Sequence, residues 1–196
     1  MYFVSLITTL ETLIVFGLIL FTISAINGTF HYLYPDNVLL LVMIGTSSGL
    51  LNLCFMYASN PVRTPVLIQS ILLGLTIFPS VLFTKIMLNK NVKYIPHIIL
   101  SSIIFLLASM IYAMVTTAKS DKFNSNNVFW ICIYFIGVVL ISFANVLQEK
   151  YMIVSENSFA SKIKMAFYAV LFQIMTIILL FPVDFIFGYS ETATFA

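Results

Sequence analysis

Six long apolar runs leave this chain little choice of fold. They extend approximately from Phe3 to Ile26, Asn37 to Ala58, Thr64 to Leu88, Tyr94 to Thr117, Val128 to Gln148 and Met165 to Gly188. A hydrocarbon layer roughly 30 Å thick is crossed by a helix of about 20 apolar residues, so each run is long enough for one crossing. In lipid a backbone must satisfy its own polar groups, which makes helices the expected form of every run. The expectation is an all-α polytopic membrane protein, a single transmembrane domain over residues 1–196 with the bilayer as its first partner.

Composition excludes the soluble alternative. The chain is 61% hydrophobic and 8% charged, against about 25% charged residues in an ordinary soluble domain. Turn-forming residues separate the runs: Asn27-Gly28-Thr29, Pro35-Asp36, Asn60-Pro61, Asn89-Lys90-Asn91 and the stretch from Asp121 to Asn127. The first run has no basic region before it and is too long for a signal peptide, so it reads as a true span. Cys54 and Cys132 lie in separate spans without metal-ligand spacing and read as packing residues. His31 and His97 read as interfacial residues. No metal, cofactor or catalytic constellation is indicated, and the net charge of +2 is too small and scattered for nucleic-acid binding.

Loop charges orient the spans. Arg63, Lys119 and Lys122 fall on one side, and Lys85, Lys90, Lys93, Lys150, Lys162 and Lys164 on the other. The basic excess marks the cytoplasmic face, which receives the loops after spans one, three and five, with both chain ends opposite.

Polar residues within the spans are the candidate functional groups, because each costs free energy in hydrocarbon unless partnered. Gln69, Thr76, Ser80 and Thr84 share one face of the third span, Tyr134, Ser142, Asn145 and Glu149 one face of the fifth, and Gly45, Ser48, Gly49 and Asn52 one face of the second. The glycines form a small-xxx-small motif suited to close helix contact, whereas Gln69 and Asn145 suit a polar cavity. Pro79 and Pro182 free backbone carbonyls and are candidate kinks. Glu11 stands near Thr8, Thr9 and Thr12 and has two readings, a proton or cation site and a hydrogen-bonded packing residue. Glu149 and Asp184 lie near span ends, where a carboxylate reaches headgroups or water.

One further pattern is colinear with the spans. The run from Phe172 through Gln173 and Thr176 to Pro182-Val183, the trio Phe143-Ala144-Asn145 followed by Glu149, and Val66-Leu67-Ile68-Gln69 resemble helices of the chloroquine-resistance-transporter-like family of the drug/metabolite transporter superfamily. The resemblance covers roughly Asn37 to Val183. It departs at Leu73, where the family often has a proline, with Pro79 further on. It implies a partial bundle corresponding to the second to seventh helices of a ten-helix carrier of two inverted repeats, in an endomembrane or vacuole. It also implies a secondary carrier of small organic solutes. On that reading the polar residues of the spans make Gln69, Thr76, Ser80, Asn52, Asn145, Glu149 and Gln173 the candidates for the solute path, and Glu11 and Glu149 the candidate proton couplers. Alternating access moves one repeat against the other. A six-span chain is therefore a truncated carrier, one that assembles with a second copy, or one that has lost transport. The rival readings are a membrane scaffold, with Gly45 and Gly49 as contact residues, and an oligomeric channel.

Overall fold

The structure, a computed structural model, describes residues 2–28, 34–89, 96–97, 100–105, 107–108, 125–155 and 158–182. Among these there is no β-strand. The helices are α1 (Tyr2–Asn27), α2 (Val38–Ala58), α3 (Val66–Gly74), α4 (Ile77–Leu88), α5 (Ser125–Val154) and α6 (Phe159–Leu179). Taken with the continuous apolar stretch Val66–Leu88 as one span, five stretches are long and apolar enough to cross a bilayer: Phe3–Ile26, Val38–Ala58, Val66–Leu88, Val128–Val154 and Phe159–Leu179. The protein is an all-α, multi-pass membrane protein. The run from Tyr94 to Thr117 lies mostly outside the described residues; those described in it at 100–105 and 107–108 are helical.

Helix ends follow local chemistry. Ser158 caps α6 by accepting a hydrogen bond from the Ser161 N–H at 3.1 Å, so the helix starts at Phe159 rather than Met165 and takes Lys162 and Lys164 into its first turns. Asn89 closes α4 in the left-handed conformation, at φ 52°. Within the spans, hydroxyls are satisfied by the helix that carries them: Thr8, Thr9, Thr12, Thr22, Thr46, Ser47, Ser70 and Thr176 all donate to carbonyls three or four residues earlier.

The chain divides into two compact units, Met1–Leu53 with Leu147–Ala196, and Cys54–Val146. In the first, α1 packs along α6, burying Thr9, Leu20 and Ser24. The start of α2 also packs on α6: a methyl group added at Gly45 would lie 2.7 Å from the Ala169 carbonyl oxygen and 3.0 Å from the Gln173 nitrogen, and one at Gly49 would lie 2.8 Å from Thr176 Cβ. Only glycine permits that approach.

In the second unit α3 and α4 run beside α5 in the same direction. Arg63, just before α3, lies against Trp130 near the start of α5. Thr76, at the junction with α4, meets Ser142, and further along the Phe83 and Phe143 rings stand 5.2 Å apart.

Candidate functional site

The most chemically distinctive place in the second unit is the interruption of the third span at Leu75 and Thr76. Pro79 occupies the third position of α4, where its missing N–H would otherwise bond to the Leu75 carbonyl. The Leu75 carbonyl instead accepts from the Phe78 N–H at 3.1 Å, a tighter 3₁₀-type bond. Next to it, the Thr76 carbonyl accepts from the Ser80 N–H at 3.1 Å, the Ser80 hydroxyl at 2.7 Å and the Ser142 hydroxyl at 2.9 Å. Ser142 is fully buried and divides its single proton between Thr76 and its own Val138 carbonyl at 3.1 Å. The break therefore brings together Thr76, Ser80 and Ser142 from two spans around one backbone carbonyl.

Gln69 has a different task from the one its place on the helix wheel suggests. Its Nε2 donates to the Ser59 carbonyl at 2.8 Å and the Thr64 carbonyl at 2.7 Å, tying α3 to the loop that follows α2. Both amide protons are thereby used. In the same loop the buried Arg63 donates through a guanidinium nitrogen to the Tyr57 carbonyl at 2.6 Å and stacks 4.0 Å from the centre of the Trp130 ring. Replacing Gln69 by leucine removes both bonds and leaves two carbonyls short of a donor. The thermal midpoint in detergent is expected to fall, by a few degrees for a loss of about 1 to 2 kcal/mol.

The other candidates are divided between the two units, Asn145 in the second and Glu11, Asn52, Glu149 and Gln173 in the first. Asn145 and Glu149 are exposed on α5, whereas Tyr134 and Ser142 of the same stripe are buried. A helix wheel fixes the azimuth of a side chain but not which levels along the axis have a neighbour. Phe55 stands 4.8 Å from the Tyr134 ring at one such level. Asn52 and Gln173 are half-buried in the first unit, with the Gln173 backbone beneath Gly45 and Gly49. Glu11 is exposed on α1. Pro182 is exposed three residues past the last residue of α6, and Asp184 lies outside the described residues. A shallow apolar cleft of about 230 Å³, lined by Phe3, Leu6, Ile178 and Phe181, contains none of the polar candidates.

One cluster in the first unit is absent from the sequence-based candidates. Lys164 is almost fully buried on α6 and binds both carboxylate oxygens of Asp36, at 3.1 and 3.0 Å, just before α2. Beside Asp36 the hydroxyl of the fully buried Tyr151 stands without a hydrogen bond of good geometry. The pair joins the connection after α1 to the first turns of α6. Among the described residues no three His, Cys, Asp or Glu side chains are grouped to hold a metal ion.

No family model, curated protein or solved structure matches the chain.

Proposed function

We propose that this chain is a transporter-like membrane protein, a secondary carrier of small organic solutes or part of one. The observation that carries this reading is the interrupted third span, with its hydroxyls converging on the Thr76 carbonyl from α4 and α5. Irregular backbone at membrane depth occurs where protein or an aqueous cavity satisfies it, and discontinuous helices are the usual site of solute and ion contact in carriers. The resemblance to the chloroquine-resistance-transporter-like family points the same way. The scaffold reading names Gly45 and Gly49 as contact residues, and in this structure the surface they contact is that of α6.

Proteoliposomes holding the full chain are expected to take up at least one solute from a panel of amino acids, peptides and organic cations, with saturation and competition. Flux no greater than in empty vesicles across the panel would overturn the reading. Pro79→Ala supplies the N–H missing opposite the Leu75 carbonyl and lets α3 and α4 fuse. Uptake is expected to fall several-fold while the thermal midpoint stays level or rises, because a continuous helix has lost its hinge without losing its packing.

A further inference from the structure

Glu11 belongs to none of the clusters above, and its position in α1 is hard to reconcile with lipid. The helix has 26 residues from Tyr2, so Glu11 sits only about 5 Å along the axis from its midpoint. A glutamate side chain is too short to reach the interface from there. On a 100° wheel it points about 180° away from Leu20, which is buried with Thr9 and Ser24 on the face covered by α6. Its own face carries Val4, Ile7, Ile14, Val15 and Leu18, all exposed; Thr8 and Thr12, also exposed, follow about 60° and 100° around the helix on one side of it. Glu11 has no hydrogen-bond or ion-pair partner among the described residues.

Lipid tails can cover the apolar part of this face but offer nothing to a carboxyl group, which costs about 2.5 to 3.5 kcal/mol at such a depth when left alone. The face is complementary to itself. A two-fold axis along the membrane normal brings equal depths together, so residue i of one copy meets residue j of the other and j meets i. Glu11 supplies acceptors, while Thr12, about 1.5 Å away along the axis, and Thr8, about 4.5 Å away on the other side, supply hydroxyl donors within reach of a glutamate side chain. Both hydroxyls now donate to carbonyls of their own helix, Thr8 to Val4 and Ser5 at 3.0 Å and Thr12 to Thr8 at 2.7 Å. A rotation about one side-chain bond redirects them, and the carbonyls they leave keep their helical N–H partners.

We propose that two copies of this chain associate through the outward face of α1, the Glu11 carboxyl of each accepting hydrogen bonds from the Thr8 and Thr12 hydroxyls of the other. The association is independent of the carrier reading and would hold for a protein that transports nothing.

The test is the dimer fraction of the full chain in liposomes, read by single-molecule photobleaching as protein is diluted into lipid. A dilution-dependent dimer is expected. Glu11→Leu raises its dissociation constant about tenfold or more, the scale of one or two interhelical hydrogen bonds in a bilayer. Glu11→Gln, which keeps a carbonyl acceptor, stays within about threefold of the parent, and Thr8→Val with Thr12→Val weakens association as Glu11→Leu does. Since Glu11 faces away from α6, these variants leave the fold intact, which the thermal midpoint checks. In a chain with Cys54→Ala and Cys132→Ala, Val15→Cys and Leu18→Cys are expected to cross-link between copies and Phe16→Cys not. A monomer at every dilution, a Glu11→Leu dimer as tight as the parent's, or equal cross-linking at positions 15 and 16 would overturn the proposal.

Discussion

Gly45→Leu is expected to unfold the packing of α2 on α6, with a loss of about 3 kcal/mol or more and a protein recovered poorly from the membrane. The reason is what the new side chain meets. Its Cβ falls within overlap of Phe172 Cβ and 2.7 Å from the Ala169 carbonyl oxygen, with the Gln173 nitrogen at 3.0 Å. Two of these three are backbone atoms of α6, which cannot turn aside as a side chain does. Relief requires the helices to separate, and separation also uncovers Gly49, whose Cβ position lies 2.8 Å from Thr176 Cβ. Gly17→Ala is the control. There the added methyl meets the edge of the Phe167 ring at 3.2 Å, and a small ring rotation accommodates it. Its effect is expected below about 1 kcal/mol, offset in part by the better helix propensity of alanine. Thermal unfolding in detergent ranks the two; equal midpoints would mean that α2 does not lie on α6 through Gly45.

The spans were legible because the bilayer imposes a length and a composition that survive without any tertiary information. Their ends were not. Hydropathy starts the last span at Met165, since Lys162 and Lys164 read as loop residues, but the Ser158 cap and the Asp36 carboxylate hold both lysines within α6. The two members of that ion pair are separated by 128 residues, and nothing local to either announces the other. The break at Thr76 was signalled by Pro79, and the partner that completes it, Ser142, was visible only as one polar residue among several. The stripes were silent about destination. Most hydroxyls turn back to their own helix, Gln69 reaches a loop, and Asn145 faces outward. The glycine pair was the most readable feature of packing, because a small-xxx-small motif has few uses other than close approach.

The same ion pair carries the second large effect, and it is expected to be lopsided. Asp36→Ala leaves the Lys164 ammonium, 5% exposed, facing protein with no counter-charge, whereas Lys164→Met leaves an Asp36 carboxylate that is 41% exposed and can turn to water. Breaking a buried pair by removing one partner costs most when the survivor cannot be solvated. Asp36→Ala is therefore expected to lose about 3 kcal/mol, and Lys164→Met about 1 kcal/mol, part of which the methionine recovers by filling the same apolar space. The double variant, with no charge left to desolvate, should regain most of what Asp36→Ala lost, for an apolar replacement of such a pair is often neutral or better. Tyr151, with its hydroxyl beside Asp36, adds a check: Tyr151→Phe removes a buried hydroxyl that lacks a hydrogen bond of good geometry and should change stability little. A thermodynamic cycle over Asp36 and Lys164 measures the coupling directly. Equal losses for the two single variants would mean that Lys164 reaches water as freely as Asp36 does, and that the connection after α1 is not pinned to the start of α6.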